Sequence, residues 1–244
     1  MSSKSKSRSD QAFRCVENML RHARPKQDNA AIMKTLRERF VSAEAMFSAD
    51  AYLLEKCGLH PHDALLMHCM PAIARYSGLS AYDKSCRLDR LSTVSDYLIT
   101  NFHGFQEERF YMLHLDARGR LITSTLLQEG MSDCSLFNLK KLLSDVVRVS
   151  PKAVIISHNH PACTLRPSQE DLACTMDALR ALSVVGVPLL DHIIIAGKDA
   201  VSLRENGFIP AVHWLRQAPE NRMLQNYLLP IEENPPVPRR KKTK

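Results

Sequence analysis

The sequence predicts a mixed α/β (α+β) fold, in which a curved mixed sheet is flanked by helices and preceded by a small helical module. Three observations predict it. Apolar residues recur at helical spacing over 28–80, and apolar runs typical of buried strands occur at 153–157 and 189–196. A longer helical pattern over 168–184 separates those two runs. Strands and helices in this order form a sheet with helices packed against it.

The helical module is expected at residues 28–80, where short helices are separated by Ser48, Gly58 and His60-Pro61. A further helix is expected at 90–102. It leads into a second domain, which we place at 102–224.

The second domain is expected to contain strands at 109–116 and 121–127, a helix at 136–148, a strand at 153–157, a helix at 168–184, and strands at 189–196 and 200–204. Arg118-Gly119 is the predicted turn between the first two strands. Ser168 suits the cap of the long helix, and Asp171 lies in its first turn, where acidic residues are favoured.

The most informative residues are His158, His160, Ser168 and Asp171. Two histidines at i and i+2 can converge where a strand ends, and Pro161 is expected to end this one. Together with Asp171 from a facing helix N-terminus they make three ligands for one zinc ion, with the fourth position open for water. The alternative is that these are polar residues whose hydrogen bonds are satisfied at a strand end.

At these residues the chain resembles the JAMM (JAB/MPN) metallopeptidases, whose signature is His-x-His-x7-Ser-x2-Asp. The flanking segments resemble the bacterial RadC branch of that family, and they are Asp116, 120–122, 158–161, 166–168 and 190–195. The resemblance runs from about residue 102 to 208. It implies the JAB/MPN-like (cytidine-deaminase-like) fold and zinc metallopeptidase activity, with His158, His160 and Asp171 as zinc ligands.

The resemblance also implies a glutamate outside the motif, which acts as general base toward the water at the metal. In the family this residue immediately precedes the strand that leads into the core. Glu108 occupies that position here, and Glu107 is the alternative if the register differs by one residue. A further alternative is that both are solvated loop charges. For Ser168 the implied role is to hold the oxyanion of the tetrahedral intermediate.

Two features beside the motif bear on the site. Asp191-His192 either supplies a hydrogen bond to a ligating histidine or is a polar pair at a sheet edge. The family's loop after the second histidine usually runs Pro-Ser-Gly, whereas this chain has Pro161-Ala162-Cys163. Loss of that glycine is expected to reshape the substrate cleft without touching the ligands.

RadC-like chains carry a helix–hairpin–helix at the place of the helical module, and its turn offers backbone N–H groups to a phosphate. The corresponding turn, 57–64, lacks the second glycine, Pro61 removes a donor and Asp63 adds an anion. We therefore predict a degenerate hairpin kept for packing. His60, His62 and His68 are interpreted as surface residues and not as a second metal site.

The positive charge of the chain lies at its ends. Residues 1–26 carry seven basic and two acidic side chains and residues 239–244 carry five basic ones, against a net charge of +7 for the whole chain. We predict that residues 1–27 and 230–244 are disordered and make weak, salt-dependent contact with nucleic acid.

Cysteine usage and hydropathy predict a cytoplasmic protein. The seven cysteines are scattered and form no Cys-x-x-Cys pair, which is typical of reduced thiols. No apolar run approaches the ~20 residues that span a bilayer, so we expect no membrane partner.

Two functions from different classes remain open. The first is a zinc metallopeptidase, a hydrolase acting on a peptide or isopeptide bond of a peptide or protein substrate. The second is a DNA repair or recombination accessory, or a nucleic-acid-binding protein, with a non-catalytic JAB/MPN domain. Nuclease chemistry is a third, weaker interpretation.

Overall fold

The structure is a computed structural model that describes residues 3–82, 86–130 and 138–209, with side chains from residue 9 onward. These residues form two compact units, which comprise residues 3–81 with 103–106, and residues 82–102 with 107–209. None of the helices in these ranges is long and apolar enough to cross a membrane. The predicted tail at 230–244 lies outside the described residues.

The first unit contains helices α1 (Ser3–Ala23), α2 (Asn29–Arg39), α3 (Ala43–Phe47), α4 (Ala51–Lys56) and α5 (Pro61–Leu79). The side chains of Asp28, Ser42 and Asp50 cap α2, α3 and α4 by accepting backbone N–H groups of the first turn. The prediction that helices precede the sheet is confirmed.

The prediction of disorder for residues 1–27 is wrong for helix α1. Phe13, Val16 and Leu20 lie at helical spacing and are buried in the core of the first unit. Burying a large apolar side chain stabilises the folded state by about 1.5–3 kcal/mol. Burial of these three residues therefore favours an ordered helix, although the Ser/Lys/Arg-rich composition suggested disorder. Nucleic-acid contact through the basic ends stays a prediction.

The turn between α4 and α5 is used for packing. Gly58 has a φ of 96°, which places Leu59 in the core of the first unit with 4% exposure. Asp63 in the first turn of α5 pairs with Arg24, with Nε and Oδ2 3.0 Å apart. His60 Nδ1 lies 2.9 Å from the same guanidinium. These contacts support the interpretation of a packing hairpin, because the start of α5 already holds an anion and its cation.

The second unit contains α6 (Leu91–Asn101), β1 (Arg109–Leu115), β2 (Leu121–Glu129), α7 (Leu139–Val149), β3 (Ala153–Asn159), α8 (Gln169–Val184), β4 (Leu189–Ala196) and β5 (Asp199–Ser202). All the predicted elements are present, although residues 136–137 of the predicted helix lie outside the described residues. The unit begins before the predicted boundary at residue 102 and includes α6. Residues 210–224 are outside the described chain.

The five strands form one mixed sheet in the order β2-β1-β3-β4-β5. β1 is antiparallel to both β2 and β3, β3 is parallel to β4, and β5 is antiparallel to β4. The parallel pair requires a crossover, which α8 supplies. β3 and β4 are buried along their whole length, and apolar residues of α7 and α8 pack on Ile156 and its neighbours. The predicted mixed sheet flanked by helices is confirmed.

The predicted end of β3 is wrong, and this boundary concerns the histidines. We expected the strand to end at 157, but β3 runs to Asn159, with His158 inside it and His160 directly after it. Side chains at i and i+2 of an extended strand point to the same face, so the histidines converge without a break between them. Likewise β5 spans Asp199–Ser202 and not 200–204.

Candidate metal centre

Four predicted residues meet at one point of the second unit: Glu108, His158, His160 and Asp171. Their ligand atoms all lie within 4.8 Å of one another, and no other such cluster occurs in the part of the chain that the structure describes. The Nε2 atoms of the two histidines are 2.9 Å apart. Asp171 Oδ1 lies 3.0 Å from His158 Nε2, and Asp171 Oδ2 lies 3.5 Å from His160 Nε2.

Three elements carry these residues. β3 supplies the histidines, the first turn of α8 supplies Asp171, and Glu108 immediately precedes β1. β1 pairs with β3 in a register that sets Phe110 opposite His158, which brings the start of β1 to the histidines. Glu108 Oε1 lies 3.8 Å from His158 Nε2, whereas Glu107 is exposed and outside the cluster. Of the two predicted glutamates, the structure brings Glu108 to the site.

Asp171 is held as an anion at the start of α8. Ser168 and Asp171 form a capping box, in which Ser168 Oγ accepts the Asp171 N–H at 3.0 Å and Asp171 Oδ2 accepts the Ser168 N–H at 2.7 Å. Burial alone would raise the pKa of Asp171, but the imidazoles of His158 and His160 and the Ser168 N–H together lower it below its usual range. A helix N-terminus also favours negative charge.

His160 is oriented by the loop that follows it. Its Nδ1 lies 2.7 Å from the carbonyl oxygen of Thr164, so Nδ1 carries a proton and donates it there. Nε2 is then left facing the cluster. The Asp171 carboxylate raises the pKa of His160 although partial burial opposes this.

His158 is fully buried and stacks on Phe110, with ring centroids 4.5 Å apart and planes 17° from parallel. Its Nδ1 lies 2.8 Å from Nε2 of His192, in β4. The sequence allowed a hydrogen bond from the Asp191-His192 pair to a ligating histidine, and His192 stands in that position. Burial, together with the neighbouring His158, lowers the pKa of His192 well below its usual range.

Asp191 faces away from this contact and organises the end of the sheet. Its carboxylate accepts hydrogen bonds from the hydroxyl of Ser202 and from the backbone N–H groups of His192 and Arg204. The residue is fully buried inside β4 and does not lie at a sheet edge.

Two residues at the site were missed by the sequence reasoning. Thr175 lies 2.6 Å from His192 Nδ1, and its place one turn after Asp171 on α8 was a usable signal, because i and i+4 share a helix face. Asn159 hydrogen-bonds the backbone beside Glu108. Asn159 could have been found from its position between two histidines on a strand, because its side chain must then point to the face of the sheet opposite to theirs.

Cys163 stands where the resemblance would place a glycine, and it is exposed with a φ of 56°. Glycine adopts this left-handed conformation freely, whereas other residues are strained there by about 1–2 kcal/mol. The loop therefore keeps the backbone conformation of a glycine although the residue is Cys163. Any reshaping of the substrate cleft comes from the added side chain.

The four side chains suit a divalent metal ion of the first transition row. Two imidazole nitrogens and two carboxylates are the ligand types that zinc and its neighbours accept. The two histidine Nε2 atoms lie 2.9 Å apart, and the Asp171 carboxylate oxygens lie 3.0 and 3.5 Å from them. A cation between these atoms would bind all of them. The donor set therefore fits a metal ion.

Comparison with known proteins agrees with this geometry. The profile of the RadC-like JAB domain matches residues 88–208. A UPF0758 protein of Staphylococcus aureus (strain NCTC 8325) is 30% identical over 156 residues, which cover 64% of this chain and 72% of that protein. A UPF0758 protein of Pseudoalteromonas translucida is 36% identical over 118 residues, which cover 48% of this chain and 53% of that protein.

The sheet and the His-Asp-Glu cluster thus define a JAB-domain protein. The chain belongs to the RadC-like JAB (UPF0758) family, and the resemblance found in the sequence is confirmed.

Proposed function

We propose that this protein is a zinc-dependent hydrolase of the metallopeptidase type, which cleaves a peptide or isopeptide bond of a peptide or protein substrate. The observation that carries the proposal is the convergence of Glu108, His158, His160 and Asp171 within 4.8 Å. Three of these residues suffice as zinc ligands in catalytic sites, so the fourth is available for proton transfer.

His158, His160 and Asp171 are the proposed ligands. A zinc ion held by them would supply a Lewis acid that polarises the scissile carbonyl and lowers the pKa of a coordinated water. His158 and Asp171 are almost fully buried. Their hydrogen-bond partners fix their orientation, so little reorganisation is needed on binding the metal.

Glu108 is the proposed general base. Its carboxylate is one-quarter exposed and lies 3.8 Å from His158 Nε2, at the edge of the cluster that faces solvent. From this position Glu108 can take a proton from the attacking water and pass it to the leaving amine. The Asn159 side chain, which hydrogen-bonds to the carbonyl of Glu107 and the N–H of Arg109, holds the backbone on both sides of Glu108.

Ser168 is the proposed oxyanion donor. Its Oγ accepts the N–H of Asp171, which leaves the hydroxyl proton available. Ser168 is exposed beside the cluster, so that proton can reach the oxygen on which negative charge develops. Capping α8 and stabilising an oxyanion are compatible roles for one hydroxyl.

The proposal is tested with zinc-loaded protein, a library of peptides and isopeptide-linked conjugates, and hydrolysis in isotopically labelled water. We expect cleavage that places one oxygen from water in the new carboxylate. Glu108→Gln should lower turnover at least ~100-fold while zinc stays bound, as loss of a general base does. Glu107→Gln is the matched control and should retain activity, since its side chain is outside the cluster.

Full turnover in Glu108→Gln would overturn the assignment of the base. Cleavage of nucleic acid but not of any amide bond would overturn the metallopeptidase part of the proposal.

A further inference from the structure

A chain of hydrogen bonds joins the two ligand-bearing elements behind the metal centre. It runs from His158 Nδ1 to His192 Nε2 (2.8 Å), from His192 Nδ1 to Thr175 Oγ1 (2.6 Å), and from Thr175 Oγ1 to the carbonyl oxygen of Asp171 (2.6 Å). All four residues are at most 1% exposed. The chain therefore links β3, β4 and α8 without contact with solvent.

The proton positions in this chain follow from one another, beginning at Thr175. A backbone carbonyl oxygen can only accept, so the hydroxyl of Thr175 must donate to Asp171 O. Thr175 carries a single hydroxyl proton, which that bond uses. The contact between Thr175 Oγ1 and His192 Nδ1 is then a hydrogen bond only if His192 donates.

His192 is fully buried, and its ring nitrogens face an imidazole and a hydroxyl. Because His192 Nδ1 donates to Thr175, its Nε2 is the nitrogen that faces His158 Nδ1, at 2.8 Å. A histidine that binds a metal ion through Nε2 carries its proton on Nδ1. In the metal-bound protein His158 Nδ1 therefore donates to His192 Nε2, and His158 Nε2 faces the position between Asp171 and His160.

We propose that Thr175 and His192 are positioning residues that select the tautomer and ring orientation of His158, so that Nε2 presents its lone pair to a metal ion. This inference rests on the proposed metal site. The sequence suggested at most a contact from His192. The structure adds the anchor, Thr175, whose hydroxyl ties the orientation of one ligand to the backbone of another.

The chain also couples the two ligands. Thr175 lies one turn after Asp171 on α8, and the carbonyl that receives its proton is that of Asp171. A shift of α8 relative to β3 would lengthen this chain and disturb His158 and Asp171 together. The hydrogen bonds through His192 and Thr175 thereby fix the distance between His158 and Asp171 on the side away from the proposed metal position.

The test compares Thr175→Val, which removes the hydroxyl at nearly constant shape, with Thr175→Ser, which keeps it. Zinc affinity is measured by competition with a chromophoric chelator, and the urea unfolding of the zinc-free proteins is measured alongside. We expect Thr175→Val to bind zinc about 10–100-fold more weakly than wild type, the usual effect of losing such a partner. Thr175→Ser should recover most of the affinity. Wild-type affinity in Thr175→Val would overturn the proposal.

A second measurement reads the tautomers directly and does not require activity. Long-range proton–nitrogen NMR spectra of protein labelled with 15N-histidine should show the proton of His192 on Nδ1, with and without zinc. A proton on Nε2 of His192 would overturn the proposal. If wild-type protein binds no zinc but His192 carries its proton on Nδ1, the proposed function fails while the hydrogen-bond assignment stands.

Discussion

The side-chain amide of Asn159 hydrogen-bonds to the backbone on both sides of Glu108. Its Oδ1 accepts the N–H of Arg109 at 2.9 Å, and its Nδ2 donates to the carbonyl of Glu107 at 3.0 Å. Asn159 lies between the two histidines, is 5% exposed, and faces away from them. The residue between the proposed metal ligands therefore positions the backbone of the proposed base.

Asn159→Ala removes the acceptor that Asn159 Oδ1 offers to the Arg109 N–H and the donor that Asn159 Nδ2 offers to the Glu107 carbonyl. We expect a loss of about 1–3 kcal/mol in the free energy of unfolding, the cost of an unsatisfied polar group. The amide of Arg109 should also exchange faster with solvent, and hydrogen–deuterium exchange measures it. Asn159→Asp is the matched control, because it keeps the acceptor for Arg109 and should keep that amide protected. Unchanged exchange at Arg109 in Asn159→Ala would contradict the bridging role.

Ser168 should contribute to stability as well as to the proposed chemistry. Ser168→Ala removes the cap of α8 and should lower the free energy of unfolding by about 1 kcal/mol. Ser168→Asp preserves capping, because its carboxylate also accepts the first-turn N–H, and it should unfold near the wild-type urea concentration. An ionised carboxylate has no proton to donate to an oxyanion. Turnover lost in both variants assigns the hydroxyl to catalysis, whereas turnover retained in Ser168→Asp would contradict the oxyanion role.

Asp191 should give the protein a distinctive pH dependence. Burial raises its pKa to about 6, although hydrogen bonds from Ser202, Arg204 and His192 oppose the rise. A raised pKa means that the folded state holds a proton which the unfolded chain releases above about pH 4. The stability that this proton provides is complete below about pH 4 and is lost as the pH rises through about 6.

Asp191→Asn cannot ionise and should escape this loss. Relative to the variant, the wild-type protein should therefore lose up to about 3 kcal/mol between about pH 4 and 7. Urea unfolding followed by circular dichroism across this range measures the difference. A difference that does not vary with pH would contradict the raised pKa.

Helix α1 should be a structural part of the first unit. Leu20 is fully buried there, so Leu20→Ala should lower the free energy of unfolding by about 2–5 kcal/mol. Arg21→Ala is the matched control, because Arg21 is exposed and its pair with Glu17 is worth about 0–1 kcal/mol. Thermal unfolding of both variants measures this. Equal, negligible effects would mean that the segment is not packed.

The sequence predicted the fold well where the spacing of apolar residues agrees with the residues that cap or end helices and strands. The strand predicted at 109–116, the buried runs of β3 and β4, and the Ser168 cap were all placed near their observed positions. α1 was missed because its composition is typical of disorder, while its three buried apolar residues depend on a partner surface. Such a partner is a tertiary property, which local composition does not reveal.

The side chains that face the proposed metal position were predictable from the sequence. The motif located His158, His160 and Asp171, the resemblance added Glu108 outside the motif, and the structure brings all four together. Thr175 and the bridge made by Asn159 were not predicted, because they act across strands and helices whose register the sequence leaves open. The sequence favoured Glu108 over Glu107, and the pairing of β1 with β3 brings Glu108, and not Glu107, into the cluster.

The central claim is that His158, His160 and Asp171 bind a zinc ion, and elemental analysis of the purified protein tests it most directly. We predict about one zinc ion per chain in wild type and in Glu108→Gln, and near-complete loss in His158→Ala and Asp171→Ala, since each removes one of three ligands. Wild-type protein that takes up no zinc when it is offered, or variants that retain it fully, would contradict the account.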